Sequence, residues 1–105
     1  MYELWQTEWC PASRRVRQRL TELGVDYVAR QVPVEREHRT LLLERVGTDS
    51  IPALIAPDGA VLVGEDPITA YLNSRIPEPA EAKKHQSKAE NARLRYLKEE
   101  CECPQ

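Results

Sequence analysis

Cys10 is the residue of this chain best placed to do chemistry. It stands in Trp9-Cys10-Pro11-Ala12-Ser13, directly before a segment that reads as a helix. At a helix start the first backbone N–H groups have no helical carbonyl to bond, and their partial positive charge favours the thiolate. The thiolate is the form that attacks sulfur. Arg14, one turn on, adds positive potential, and Glu8 opposes it. The same position also suits a buried cysteine that packs as a small apolar residue, so spacing alone leaves both readings open.

Three further groups carry possible chemistry. Glu65 and Asp66 are consecutive carboxylates at the start of another apolar-periodic segment; Asp66 also reads as its N-cap, and Glu65 as a solvated charge. Trp9 is placed to shield a thiolate, to stack on a substrate, or to pack in the core with Trp5. Cys101 and Cys103 form a Cys-x-Cys pair, too tight for the usual zinc spacing, with only His38 and His85 as nitrogen ligands. Free tail thiols come first among the readings of that pair, then a resolving pair for Cys10, then a metal site; no metal site is expected. The run Arg14, Arg15, Arg17, Arg19 reads as a solvated helix face.

The elements that must position these groups alternate in type. Tyr2 to Gln6 is a short strand-like run. Pro11 to Leu23 carries Val16, Leu20 and Leu23 at helical spacing, with Pro11 suited to a first helical position and Gly24 to the stop. Val25 to Val32 is β-like. Val34 to Val46 is predicted helical, with Leu42 and Val46 on one face, Leu41 and Leu43 widening it, and Gly47 ending it. Ile51 to Ala56 and Ala60 to Val63 read as strands joined by the Pro57-Asp58-Gly59 turn. Asp66, Pro67 and the Ile68, Leu72, Ile76 face mark a third helix. The order is βαβαββα, which predicts an α/β fold with a mixed sheet and helices on its faces.

Composition narrows the class. The chain has 105 residues, 41% hydrophobic and 30% charged, enough for one domain with a core. Its net charge of -2 argues against a nucleic-acid partner held by phosphate contacts. No uncharged stretch exceeds eight residues, against the roughly 20 that a membrane helix needs. Met1 leads straight into Tyr2-Glu3-Leu4-Trp5, so no signal peptide is expected. Three cysteines make no disulfide framework and suit the cytoplasm. All four Lys follow Pro77-Glu78-Pro79, whereas residues 1–76 hold nine Arg and no Lys. A unit over residues 1–76 is therefore expected, followed by a polar helical extension over residues 77–105, helical from Ala80 to Glu100. That extension reads as a partly frayed tail, or as one that docks through Leu94, Tyr96 and Leu97.

The element order, the Cys10-Pro11 turn opening the first helix, Ile51-Pro52 at the third strand and Gly64-Glu65-Asp66 at the third helix together resemble the thioredoxin fold. More narrowly, residues 1–76 are similar to the glutaredoxins and to the N-terminal domain of glutathione transferases. The resemblance implies a thioredoxin-like four-stranded mixed sheet flanked by helices. It implies that Cys10 forms a mixed disulfide with glutathione or a protein thiol, with Trp9, Pro11 and Ser13 beside it. Ile51-Pro52 would be cis and would offer backbone hydrogen bonds to the cysteinyl part of glutathione, and Glu65 and Asp66 would hold the γ-glutamyl ammonium. Ser13 stands where dithiol glutaredoxins carry a second Cys, which implies monothiol exchange with a thiol from outside.

The pattern also departs from that family. Pro11-Ala12 replaces the Gly-Phe of the monothiol pattern, and Gln6-Thr7-Glu8 holds no Lys. Asp49-Ser50 brings no basic residue to the glycine carboxylate, so Arg39 or Arg45 would have to reach across. The implied co-substrate is glutathione or another low-molecular-weight thiol, the partners are protein disulfides, and the chain is a monomer or weak homodimer. Two alternatives accompany this reading: a thiol- or protein-binding module with little turnover, and a dimeric iron–sulfur carrier using Cys10 plus a thiol cofactor. Complete glutathione transferases add an all-helical domain that the 29 residues after Ile76 are too few to build.

Overall fold

A computed structural model describes the backbone of residues 1–102 and the side chains of residues 1–95. The elements are β1 (Tyr2–Gln6), α1 (Pro11–Glu22), β2 (Tyr27–Gln31), a 3-10 turn (Arg36–His38), α2 (Thr40–Val46), β3 (Ala53–Ile55), β4 (Val61–Val63), α3 (Glu65–Arg75) and α4 (Ala82–Glu102). The sheet order is β2-β1-β3-β4. β1 runs parallel to β2 and antiparallel to β3, and β3 and β4 form an antiparallel hairpin. This is the βαβαββα mixed sheet of the thioredoxin-like fold, with a fourth helix after it.

Because neighbouring strand residues point to opposite faces, β1 serves two cores. Leu4 and its partner Leu54 face α1 and α3, where Val16, Leu20, Leu23, Ile68 and Leu72 bury with them. Trp5 and its partner Ala53 face the other way, against Val32 and Leu42 of the α2 side. The two tryptophans therefore part company. Trp5 is 2% exposed and belongs to the core, whereas Trp9 is 68% exposed and does not.

Several boundaries differ from the sequence expectation, each for a local reason. The helix predicted over Val34–Val46 is broken: a 3-10 turn ends at His38, and α2 starts only at Thr40. Arg39, at φ -85 and ψ 50, sits in the break, and its guanidinium donates to the carbonyls of Pro33, Val34 and Asp49 at 2.8, 3.1 and 2.9 Å. Gly47 closes α2 in the left-handed region (φ 88), as its position suggested. Asp66 is not the cap of α3: Gly64 holds that place at φ 97 and ψ 153, so Glu65 and Asp66 both lie inside the first turn.

α4 meets the sheet unit through its first half. Ala82 is buried, and Gln86 Nε2 donates to Glu22 Oε1 at 3.2 Å. Leu94 is exposed, contrary to a docking role; the side chains of Tyr96, Leu97 and Cys101, and all of Cys103, lie outside the described residues. Among the described residues no helix is long and apolar enough to cross a membrane.

Candidate active site

The turn from β1 into α1 is held by one side chain. Arg17, from the second turn of α1, donates to Gln6 Oε1 and to the carbonyls of Thr7 (3.3 Å) and Glu8 (3.2 Å). It also pairs with the Glu8 carboxylate at 3.2 Å, which sets a positive charge beside the one acid expected to oppose a thiolate. Gln6 Nε2 donates to that same carboxylate at 3.1 Å, and the Cys10 N–H turns back to Thr7 O at 3.4 Å. The backbone on either side of Cys10 is thus tied to α1.

Cys10 is the N-cap of α1, with extended backbone (φ -73, ψ 119), and its Sγ accepts the Ser13 N–H at 3.4 Å. A thiolate here occupies the place of a capping oxygen. Burial pushes the Cys10 thiol up, but the hydroxyl and N–H of Ser13, the N–H of Ala12 and the charge of Arg15 outweigh it, leaving the thiol more acidic than ordinary cysteine. The Ser13 hydroxyl is buried without a hydrogen-bond partner, so a thiolate at Cys10 is an acceptor it can satisfy. The neighbouring guanidinium is that of Arg15, not Arg14 as the spacing suggested. Arg14 instead lies close enough to Glu90 of α4 to lower that carboxyl.

The sheet register brings the other expected residues to the same end. Trp5 pairs with Ala53 and Ala53 with Val63. One step beyond, the Gly64 N–H donates to Pro52 O at 2.8 Å. The start of β3 and the start of α3 therefore lie beside the end of β1, from which the chain turns into Cys10. The Ile51-Pro52 bond is cis, Pro52 is buried, and Ile51 is half-buried against the Trp5 core. Glu65 is tied across to α1: its Oε2 accepts the Arg15 Nε–H at 2.7 Å. That bond and the Arg15 charge hold the Glu65 carboxyl below its usual range. Asp66 and Pro11 are exposed at the same two helix starts.

A cleft of about 350 Å³ adjoins Ile51, lined by Val34, Arg36, Arg39, Ser50 and Ile51. Arg39 does not reach into it as a free cation, because its guanidinium is taken by the three carbonyls of the α2 break. Arg36 is the cation presented there; it pairs with Asp49 at 2.7 Å and keeps most of its side chain exposed. Arg45 is exposed on α2. Sequence reasoning placed Arg15 and Arg17 on a solvated face and passed over Arg36; instead Arg17 and Arg19 are largely covered and pair with Glu8 and Glu22. The usable signal was at most the density of Arg before Gly64, since each role depends on a partner distant in sequence. Among the described residues no group of three or more His, Cys, Asp or Glu side chains is placed to hold a metal ion.

Comparison with known proteins follows the geometry. The family model for the glutathione S-transferase N-terminal domain matches residues 4–80. A glutathione S-transferase from Rhodospirillum rubrum F11 is 31% identical with a TM-score of 0.65, over 75% of this chain and 35% of that one. One from Methylobacillus flagellatus KT, solved with glutathione bound, is 28% identical with a TM-score of 0.62, over 73% of this chain and 38% of that one. A mutant of a thioredoxin-like protein is similar in fold at 24% identity and a TM-score of 0.59, over 70% of this chain and 96% of that one. The chain thus spans little more than a third of the length of the two transferases. A comparison with curated proteins gives no match. By the family match, which covers most of its length and reaches all four strands, the chain belongs to the glutathione S-transferase N-terminal domain family.

Proposed function

We propose that Cys10 carries out monothiol disulfide exchange with glutathione as its small thiol. In the first step the Cys10 thiolate attacks the glutathionyl sulfur of a mixed disulfide. A new bond forms between Cys10 and glutathione, and the partner's thiolate leaves and takes a proton. A second glutathione thiolate then attacks the glutathionyl sulfur bound to Cys10, giving oxidised glutathione and returning the Cys10 thiolate. Ser13 brings no second thiol, so the resolving thiol comes from outside. A thiol pool of this kind is that of a reducing cytoplasm.

The observation that carries this reading is the convergence at one sheet end of an N-capping, acidified Cys10, the cis Ile51-Pro52 segment and the carboxylates of Glu65 and Asp66. The ligand polarity fits that layout. Glutathione presents an ammonium at its γ-glutamyl end, which suits Glu65 and Asp66, and a carboxylate at its glycine end, which suits Arg36 in the cleft beside Ile51. The backbone of Ile51 lies between them for the cysteinyl part.

Incubation with oxidised glutathione, followed by peptide mass mapping, tests the reading. Glutathionylation at Cys10 that outpaces Cys101 and Cys103, with loss of turnover in Cys10→Ser, is expected. Specific binding of S-methylglutathione without any glutathionyl transfer would favour a binding module instead.

A further inference from the structure

Arg15 stands between two acids that compete for it. Its Nε–H bonds Glu65 Oε2 at 2.7 Å across the joint between α1 and α3. Its own helix is capped by Cys10, and the Gly64–Pro52 bond sets Glu65 at that end of the sheet. The other charges around the sulfur are accounted for: Glu8 is paired with Arg17, Arg14 lies toward Glu90 on α4, and Asp66 adds a negative charge beside Glu65 on α3. Arg15 is the cation whose charge reaches Cys10, and the structure shows its guanidinium bonded to the Glu65 carboxylate, not to the sulfur.

The geometry points to Glu65 as a brake on Cys10 that acts through Arg15: the carboxylate holds the guanidinium back, and a ligand ammonium that takes Glu65 frees it for the thiolate. The second half of this inference rests on the glutathione reading; the first half concerns the free protein alone. It gives the site a substrate preference. Thiols with a free α-ammonium next to the bound group switch the nucleophile on as they bind, whereas N-acylated thiols of the same length fill the groove and leave the brake in place. An exposed ion pair is a weak interaction, so the effect is modest and salt-sensitive.

The test titrates Cys10 in a Cys101→Ser, Cys103→Ser background, by thiolate absorbance and by iodoacetamide alkylation at a fixed pH below the midpoint. Glu65→Gln is expected to speed alkylation about threefold and Arg15→Gln to slow it about threefold, with Arg15→Lys restoring most of the rate. The double variant Arg15→Gln, Glu65→Gln is expected to match Arg15→Gln alone. An equal acceleration by Glu65→Gln with and without Arg15 would mean that the carboxylate acts directly on the sulfur, and no acceleration would mean that it does not act; either overturns the brake. S-methylglutathione should then lower the midpoint of the wild-type protein and leave that of Glu65→Gln unmoved. A bound S-methylglutathione that leaves the wild-type midpoint in place, or raises it, overturns the ligand-release half. Calorimetry on the same samples separates the two ideas: absence of binding defeats the glutathione reading, while the variant cycle still decides the role of the pair.

Discussion

Replacing Ser13 with Ala is expected to make the protein more stable and its Cys10 thiol less reactive at once. Ser13 is 0% exposed and its hydroxyl has no hydrogen-bond partner among the described residues, which leaves it free to turn to a charged Cys10 sulfur. While Cys10 is a neutral thiol, that hydroxyl is close to an unsatisfied buried group, which costs about 1 kcal/mol. Alanine removes that cost and is the better helix former, so the thermal midpoint at mildly acidic pH should rise by roughly 4–8 °C per kcal/mol in a domain of this size. When Cys10 is a thiolate, the hydroxyl donates to a charge, a bond stronger than its neutral counterpart by about 1 kcal/mol. Losing it should cut the thiolate population below the midpoint about fivefold, with the Ser13 N–H and Arg15 still acting. The sign of the pH dependence follows. Cys10 is more acidic folded than unfolded, so it adds stability above the ordinary thiol range and loses it as pH falls through the folded value. Ser13→Ala shrinks that contribution, so its advantage is greatest at acid pH and fades as pH rises. Calorimetric melting across pH, paired with alkylation rates, reads both effects. A variant that melts lower at acid pH and alkylates like wild type would show that the hydroxyl has a different partner and that the reasoning is wrong.

Two more outcomes test the scaffold. Gly64→Ala should cost about 1–3 kcal/mol in chemical denaturation, because φ 97 with ψ 153 is open almost only to glycine. The added Cβ meets only an ordinary contact, Pro67 Cδ at 3.6 Å, so a loss of a few tenths would refute a backbone origin. Burial pushes the Glu22 carboxyl up, but Gln18, Arg19 and Gln86 outweigh it and hold it below its usual range. Its stabilisation is therefore complete above the ordinary carboxylate range and is lost as pH falls through the lowered value. Glu22→Gln should flatten that acid limb, lower the neutral-pH melting point by a few degrees, and raise hydrogen exchange in the first turns of α4; an unchanged acid limb would remove Glu22 from the account.

The fold was legible where burial repeats with the period of the element. Val16, Leu20 and Leu23 line the inner face of α1, and Ile68 and Leu72 that of α3, because these helices lie on a sheet that covers one stripe of each. The break before α2 was not legible. Val34 to Val46 carries an acceptable helical pattern, and what interrupts it is a guanidinium bonding carbonyls at positions 33, 34 and 49. Periodicity holds no trace of such a clamp. The cap of α3 was misplaced for a related reason. Asp66 is a favourable capping type, but the bond from Gly64 N–H to Pro52 O ties the chain to β3 and fixes the helix start two residues earlier.

The site divides along the same line, between what one residue does by its place in an element and what it does through a distant partner. The place of Cys10 at the helix cap was legible because a thiol before a helix meets the helix's own N–H groups wherever the helix lies. The charges around it were not, because each is decided by an ion pair across elements. Judged by distance along the chain, Glu8 opposes the thiolate and Arg14 supports it. In the fold Glu8 is paired with Arg17, Arg14 lies toward Glu90, and Arg15 is drawn over the α1–α3 joint by Glu65. The field at the sulfur is thus a property of these pairs rather than of any single charged residue. Each pair also does structural work: Arg17 with Glu8 braces the turn that carries Cys10, and Arg15 with Glu65 joins the two helix starts that frame the groove. The same bonds that join these elements therefore set how much positive charge reaches the Cys10 sulfur.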